Sequence, residues 1–179
     1  MRHGVAPGAA AIKLIVAALF ALLAGPTLTV AAPALQPWTG PSPSGFALID
    51  IAGRSHDLAT YRGNVVLINF WATWCEPCRQ EMPSIQRLRD KLAGKPFVAL
   101  AVNVDEPESR VRLFLKQTGL DLPVLLDPNK TVTRDWGVRV LPVTFIIGKD
   151  GRLRYRLVGD IDWSDEQIVG LISQLIGGG

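Results

Sequence analysis

Cysteine and histidine are scarce in this chain of 179 residues, with two of each. Two cysteines exclude a scaffold held together by several disulfides. Acidic and basic residues nearly balance, at 16 against 19, and Arg2 and Lys13 lie at the very start. The sequence therefore predicts no clustered cationic surface and no nucleic-acid partner. A hydrophobic content of 48% with 20% charged residues excludes a disordered chain and predicts a folded globular domain.

The first 34 residues have the pattern of an export signal. Cationic residues precede an apolar run from Leu14 to Ala24, which Gly25 and Pro26 end. This run is shorter than the roughly 20 apolar residues that a membrane span requires. We expect cleavage after Ala34, with an uncleaved N-terminal membrane anchor as the alternative. Either outcome predicts a periplasmic or other extracytoplasmic location for the rest of the chain.

Residues 35–45 are rich in proline, serine and glycine and predict a linker, so that the structured domain is expected over residues 46–179. Segments 46–51 and 55–58 alternate and flank Gly53, which favours a small hairpin. The nearly continuous apolar run from Val65 to Phe70 is typical of a central strand that is covered on both faces.

Helices and strands alternate after this run. Apolar residues at helical spacing predict helices from residue 76 to a stop at Gly94 and from residue 109 to 118. Residues 97–104 and 123–126 predict strands, and residues 143–147 and 153–158 predict a hairpin. Proline at the first helical position suggests a helix that opens at Asp127-Pro128, and a capping box at residues 164–167 predicts the last helix. The pattern predicts an α/β domain.

The two cysteines, Cys75 and Cys78, stand just after the central strand and at the start of the next helix. Free backbone N–H groups at a helix N-terminus stabilise an anion, which favours the thiolate of Cys75 and lowers its pKa. Two intervening residues allow Cys78 to reach the same sulfur. We therefore expect Cys75 to attack a partner disulfide and Cys78 to resolve the mixed disulfide, with this redox-active pair as the only redox centre and no cofactor or metal.

Three other roles of the pair remain open at this stage. A purely structural disulfide across so short a loop would remove little entropy from the unfolded chain. A zinc site would need further ligands, and the two histidines are His3 in the leader and His56. A thiol peroxidase would carry the pattern Pro-x-x-x-Thr-x-x-Cys, but Ile68 and Ala72 occupy those upstream positions.

The segment from Val65 to Pro83, with its Trp-Ala-Thr-Trp-Cys-Glu-Pro-Cys core, resembles the signature of the TlpA/ResA branch of thioredoxin-like proteins. The resemblance continues through residues 102–106 and 141–145 and covers about residues 46–176. It implies a thioredoxin fold, in which helices flank a central mixed sheet, with an N-terminal β-hairpin and a helix-strand unit inserted near residues 108–126.

The resemblance also implies roles for single residues. Pro142 is expected to be cis and to lie beside the cysteine pair, where the flanking backbone, including Leu141, pairs with a substrate. Trp74 is expected at the surface beside the reactive sulfur, in contact with substrate. Asn69 stands where thioredoxin has a buried proton-transferring aspartate, and Glu106 matches the acid that the branch uses instead. We therefore assign Glu106 to proton transfer at Cys78, with a merely dipole-favoured acid before a helix as the alternative.

Glu76 and Pro77 separate the two sulfurs and are expected to contact the substrate. A carboxylate beside the Cys75 thiolate destabilises it, and a less stable thiolate makes the disulfide a weaker oxidant. The alternative is a solvated acid whose charge Arg79 offsets. The sequence thus favours a reductant with a potential nearer to that of thioredoxin, about −270 mV, than to that of DsbA, about −120 mV.

The expected function is that of an extracytoplasmic thiol:disulfide oxidoreductase that reduces disulfides in exported proteins. By resemblance, one client is the CxxCH segment of apocytochrome c, with electrons from a membrane thiol transporter. The protein is expected to act as a monomer. The alternatives are a non-catalytic thioredoxin-like binding module, a thiol-dependent chaperone and a thiol peroxidase.

Overall fold

The computed structural model describes residues 34–178, together with Met1 and Gly4. The predicted export signal therefore falls outside the described residues. Within the described part, no helix combines the length and the apolar character that crossing a membrane would take.

Among the residues that the structure describes, eight strands form two sheets. The strands are β1 (Gln36–Pro37), β2 (Ala47–Ile49), β3 (Ser55–Asp57), β4 (Val65–Trp71), β5 (Phe97–Val104), β6 (Val124–Asp127), β7 (Val143–Ile147) and β8 (Leu153–Val158). The main sheet has the order β1-β8-β7-β4-β5-β6, with β5 parallel to both β4 and β6 and the other pairs antiparallel. Strands β2 and β3 pair as the predicted hairpin. The sheet is mixed, as the resemblance implies.

Four α-helices accompany the sheet in the described part of the chain. They are α1 (Glu76–Lys91), α2 (Glu108–Thr118), α3 (Thr131–Asp135) and α4 (Glu166–Gly177), and a short 3-10 helix spans Leu58–Tyr61. Helix α2 and strand β6 are the inserted helix-strand unit that the resemblance implies, and they fall where it was expected.

Strand β4 lies in the middle of the sheet, and all seven of its residues are buried. Because side chains alternate along a strand, β4 contributes to a core on each face. Val65, Leu67 and Trp71 pack in the core that contains the cysteines, whereas Ile68 and Phe70 pack in the other. Burial on both faces explains why this segment is a continuous apolar run rather than an alternating one.

Helix α1 packs one face against the sheet and presents the opposite face to solvent. Its apolar residues Met82, Ile85 and Leu88 recur at helical spacing, and each is 1% exposed or less. Gly94 follows the helix with a φ of 78°, a left-handed conformation in which glycine lacks the strain of other residues. The predicted start of this helix at residue 76 and its stop before Gly94 are confirmed.

Residues 35–45, which were predicted as a linker, pack against the domain. Strand β1 pairs with the outer edge of β8, and the hydroxyl of Ser42 accepts a hydrogen bond from the backbone N–H of Leu153 at 3.1 Å. The indole Nε1 of Trp136 donates to the carbonyl of Ser44. The free backbone groups of an edge strand explain this pairing, which composition alone does not reveal.

Two predicted helix starts differ from the structure. Helix α3 begins at Thr131 rather than at Pro128, because residues 127–130 form a turn in which the N–H of Lys130 donates to the carbonyl of Asp127. The carboxylate of Asp127 still caps it, accepting a hydrogen bond from the N–H of Thr133 at 2.8 Å. In α4, Asp165 and not Ser164 is the N-cap, and its carboxylate accepts from the N–H of Gln167.

Candidate active site

Cys75 and Cys78 lie where β4 passes into α1. Cys75 is the N-cap residue of the helix, and its sulfur accepts a hydrogen bond from the backbone N–H of Cys78 at 3.3 Å. The two sulfurs are joined in a disulfide, with their Cα atoms 5.3 Å apart. The reactive sulfur predicted from the sequence thus sits against the positive end of the helix dipole.

The two cysteine residues differ in their exposure to solvent. Cys78 is fully buried, whereas Cys75 keeps 5% of its surface exposed. In this oxidised form, position 75 is therefore less exposed than the sequence predicts. An incoming thiol nevertheless reaches Cys75 first, since Cys78 has no exposed surface.

A cavity of about 230 Å³ is lined by two of the four residues predicted to contact the substrate, Leu141 and Trp74, which directly precedes Cys75. Trp74 is 65% exposed and lines this cavity together with Leu141 and the exposed Val140. The Leu141–Pro142 peptide bond is cis, as the resemblance implies. The structure therefore brings the loop of Pro142 to the same surface as the residue that precedes Cys75.

The rim of this cavity carries an ion pair between two strained residues. Asp105 and Lys130 have φ angles of 57° and 55°, a left-handed conformation that is uncommon for residues other than glycine. Their side chains are joined at 2.5 Å, and both residues line the cavity. The pairing leaves Arg139 as the other cation of the cavity lining.

Glu76 and Pro77 occupy the first turn of α1, between the two cysteines. The Glu76 side chain is 61% exposed and forms an ion pair with Arg79 at 3.1 Å. The carboxylate of Glu76 and the guanidinium of Arg79 therefore both lie in the first turn after Cys75, and solvent screens both charges.

Glu106 follows β5 and is buried, with an exposed fraction of 5%. One of its oxygens accepts hydrogen bonds from the backbone N–H of Thr73 at 2.6 Å and from Nδ2 of Asn103 at 2.8 Å. The other accepts from the Thr73 hydroxyl at 2.5 Å, and Arg110 lies 3.9 Å from it. Glu106 therefore anchors the loop two residues before Cys75, a contact that the sequence does not show.

Glu81 is a further buried carboxyl group near the cysteines, and the sequence predicted no role for it. It lies three residues after Cys78 on the same side of α1 and is 3% exposed. Its two oxygens accept hydrogen bonds from Nδ2 of Asn69 at 2.7 Å and from Nε1 of Trp163 at 2.9 Å. Burial raises the pKa of Glu81 to about 7, with the nearby Asp160 acting in the same direction and the two hydrogen bonds opposing it.

Asn69 also connects Glu81 to the strand that follows Pro142. Its Nδ2 donates a second hydrogen bond, to the hydroxyl of Thr144 at 2.9 Å. The available sequence signal was a glutamate on the apolar face of α1, next to Met82 and one turn before Ile85. Trp163, for which the sequence suggested no role, is a partner of this carboxyl group.

Comparison with known proteins agrees with this geometry. Residues 40–156 match the AhpC/TSA family. Over 126 residues the chain is 39% identical to the thiol-disulfide oxidoreductase ResA of Geobacillus thermodenitrificans, which covers 70% of this chain and 72% of the relative. The described fold and the sequence relationship therefore point to the same activity.

Two solved structures share the fold and part of the sequence. A Chlorobium tepidum protein described as the thiol:disulfide interchange protein DsbE has a TM-score of 0.71 and 31% identity, covering 79% of this chain and 100% of that one. The pneumococcal exposed lipoprotein thioredoxin from Streptococcus pneumoniae has a TM-score of 0.63 and 29% identity, covering 73% and 99%. The chain thus belongs to the AhpC/TSA family and, within it, to the ResA-type thioredoxin-like thiol-disulfide oxidoreductases.

Proposed function

We propose that this thiol-disulfide oxidoreductase acts outside the cytoplasm as a reductant, with Cys75 as the attacking sulfur and Cys78 as the resolving one. The observation that carries the proposal is the asymmetry of the pair. Cys75 caps α1 and is the cysteine with exposed surface, whereas Cys78 is fully buried behind it. A thiolate at position 75 is stabilised by the helix dipole and meets the client disulfide first.

The exchange proceeds in two balanced steps. The Cys75 thiolate attacks one sulfur of the client disulfide, so that a mixed disulfide forms and the other client sulfur leaves as a thiolate. Cys78 then gives up its proton and attacks the sulfur of Cys75, which closes the Cys75–Cys78 disulfide and releases the second client thiolate. The two electrons of the reduced pair are transferred to the client, and its two thiolates take protons from solvent.

A buried carboxyl group is proposed to accept the proton of Cys78. The sequence points to Glu106, and the structure adds Glu81, one helical turn from Cys78. A carboxyl group whose pKa is about 7 exchanges protons readily at neutral pH, which supports Glu81 in this role. Glu106 also has a structural role, because it accepts hydrogen bonds from the backbone N–H and the hydroxyl of Thr73.

The reducing direction is supported by the charge beside Cys75. The Glu76 carboxylate disfavours the Cys75 thiolate, and a less stable reduced form makes the disulfide a weaker oxidant. Arg79 offsets part of this effect at 3.1 Å. A potential close to that of thioredoxin is therefore proposed for this protein rather than one close to that of DsbA.

The proposed clients are disulfide-containing exported proteins, among them apocytochrome c, and the proposed electron donor is a membrane thiol-reductant transporter. The predicted leader and the name of the pneumococcal exposed lipoprotein thioredoxin support an extracytoplasmic location. The cavity beside Trp74 and Leu141 offers an apolar surface to the client chain, and the protein is proposed to act as a monomer.

Trapping in the native cell envelope tests this function. A Cys78→Ser variant of the full chain lacks the resolving sulfur and is expected to accumulate client mixed disulfides through Cys75, which mass spectrometry then identifies. The matched control is the Cys75→Ser, Cys78→Ser double variant, which captures nothing if the adducts are specific. Captured proteins confined to the cytoplasm, or an equally empty pattern for both variants, would contradict the proposal.

A further inference from the structure

Three buried side-chain polar atoms have no hydrogen-bond partner within residues 34–178. They are Nε1 of Trp71 and the Oδ1 atoms of Asn69 and Asn103, in residues that are 1% exposed or less. Native proteins pair nearly all buried polar atoms, with protein groups or with ordered water, because an unpaired one destabilises the fold. Each of these three atoms therefore needs a partner.

The three atoms belong to neighbouring positions on one face of the sheet. Trp71 of β4 and Asn103 of β5 are partners in the parallel register, so their side chains project to the same face. Asn69 lies two residues before Trp71 on β4 and projects to that face as well. Trp71 and Cys78 pack in the same core, so the three atoms lie on the sheet face that carries the active-site helix.

The chemistry of the three atoms matches one water molecule. The indole Nε1–H is a donor, and the two amide Oδ1 atoms are acceptors. A water molecule accepts from one group and donates to two, which satisfies all three, and buried waters typically make about three hydrogen bonds. No arrangement of the three atoms alone does so, because a single N–H cannot fully serve two carbonyl oxygens.

We propose that a buried water molecule bridges Trp71, Asn69 and Asn103, and that it joins the two carboxylate networks of the active site into one. Asn69 donates to Glu81 through Nδ2, and Asn103 donates to Glu106 in the same way. The water thus holds the remaining oxygen of each amide. Trp71 and Asn103 become positioning residues, which act on the cysteines through the two carboxyl groups.

This coupling links the two sides of the disulfide. Glu106 anchors Thr73 on the side of Cys75, and Glu81 lies one helical turn beyond Cys78. With the water in place, a change at one carboxyl group is transmitted to the other through oriented amides. Without it, each amide loses one fixed contact, and the two carboxyl groups respond independently.

The first arm of the test is structural and is independent of the roles proposed for the cysteines. A crystal structure of the oxidised protein that shows ordered solvent is expected to contain a water within hydrogen-bond distance of all three atoms. The Trp71→Phe variant keeps the ring against Phe114 and removes the N–H, so this water is expected to disappear. A dry site in the wild type, or an unchanged water in the variant, would overturn the proposal.

The second arm is kinetic and rests on the proposed function. With the disulfide reagent dithionitrobenzoate, the first thionitrobenzoate released reports attack by Cys75 and the second reports resolution by Cys78. The rate effects of Glu81→Gln and Glu106→Gln on the second phase are expected to be non-additive by about threefold or more in the wild-type background. In the Trp71→Phe background, the rate effect of the double variant is expected to equal the product of the two single effects.

The control for the second arm is Trp136→Phe, which removes an indole N–H from the core on the opposite face of the sheet. It is expected to leave the non-additivity intact. Independent effects already in the wild type, or non-additivity that persists in Trp71→Phe, would refute the water bridge. Absence of the first phase would instead refute the proposed role of Cys75, so the two failures are distinguishable. If Trp71→Phe does not fold, two measurements on the wild-type background test the proposal instead. They are the crystal structure and the comparison of Glu81→Gln, Glu106→Gln and the double variant.

Discussion

Nδ2 of Asn69 donates a hydrogen bond to Oε1 of Glu81 at 2.7 Å, and both side chains are buried. Asn69 occupies the position where the resemblance implies that thioredoxin has an aspartate. One buried carboxyl group near the cysteines, that of Glu81, comes instead from α1, three residues after Cys78. This acid is therefore carried by the helix, and a neutral amide on the strand orients it.

The pKa of Glu81 predicts a fall in stability as the pH rises. The carboxyl group keeps its proton up to about pH 7 in the folded protein but releases it near its ordinary value of 4.5 in the unfolded chain. Between these values the folded state binds more protons, so the free energy of unfolding falls by about 3 kcal/mol from pH 4.5 to pH 7. Urea unfolding of the oxidised protein measures this, because a disulfide does not titrate.

Glu81→Gln is the matched variant for this prediction, since glutamine has no proton to lose. The fall between pH 4.5 and pH 7 is expected to be absent in the variant, and the difference between the two proteins separates Glu81 from every other titratable group. Asp50 does not interfere. Burial alone would raise its pKa, but hydrogen bonds from Arg54 and His56 lower it to about 2. Identical pH profiles for both proteins would show that Glu81 is not the cause.

The two buried carboxyl groups are expected to act on different steps of exchange. Glu81→Gln is expected to slow release of the second thionitrobenzoate by about tenfold or more and to spare the first. Glu106→Gln is expected to slow both phases, because it also replaces an acceptor of the Thr73 contacts by a donor. A second phase that Glu106→Gln leaves unchanged would exclude Glu106 from proton transfer at Cys78.

Glu76→Gln is expected to make the disulfide more oxidising. Removal of the carboxylate stabilises the Cys75 thiolate, but the group is exposed, so we expect a rise of only about 10–20 mV. Arg79→Gln is the matched control, because it removes the opposite charge of the same ion pair and is expected to lower the potential. Equilibration with dithiothreitol or glutathione gives both values. Shifts of the same sign in the two variants would refute an electrostatic origin.

Trp74→Ala is expected to weaken reduction of protein disulfides far more than reduction of a small reagent. The exposed indole beside Leu141 offers a client chain a large apolar contact, so kcat/KM for insulin is expected to fall by about tenfold. The first thionitrobenzoate phase is expected to stay nearly unchanged. Val158→Ala removes an exposed apolar side chain of β8 and serves as the control. Equal losses with both substrates would show that Trp74 acts on Cys75 itself.

Local patterns were enough to predict the central strand, the hairpins, helix α1 and the position of the cysteine pair. The run from Val65 onward and the spacing of Met82, Ile85 and Leu88 each depend on burial along one element, which a sequence displays directly. The cis bond before Pro142 followed from the resemblance and is confirmed.

Contacts between segments that are distant in the sequence could not be predicted from local patterns. Trp163 donates to Glu81 across 82 positions, and β1 pairs with a strand more than a hundred residues away. The predicted start of α3 was wrong, because the Asp127 side chain caps a helix that begins only after an intervening turn. Glu81 is buried on an otherwise apolar helix face because distant residues hydrogen-bond to it. Since these partners are far away in the sequence, no local pattern predicted its role.

The most direct test compares the reduced Cys78→Ser and Cys75→Ser variants in their reaction with insulin whose disulfides are intact. Mass spectrometry measures the adducts. The account predicts that Cys78→Ser forms a stable mixed disulfide through Cys75, which dithiothreitol releases. It predicts that Cys75→Ser, whose remaining sulfur lies in a fully buried position, forms almost none. Equal adducts from both variants, or adducts confined to Cys75→Ser, would contradict the assignment of Cys75 as the attacking sulfur.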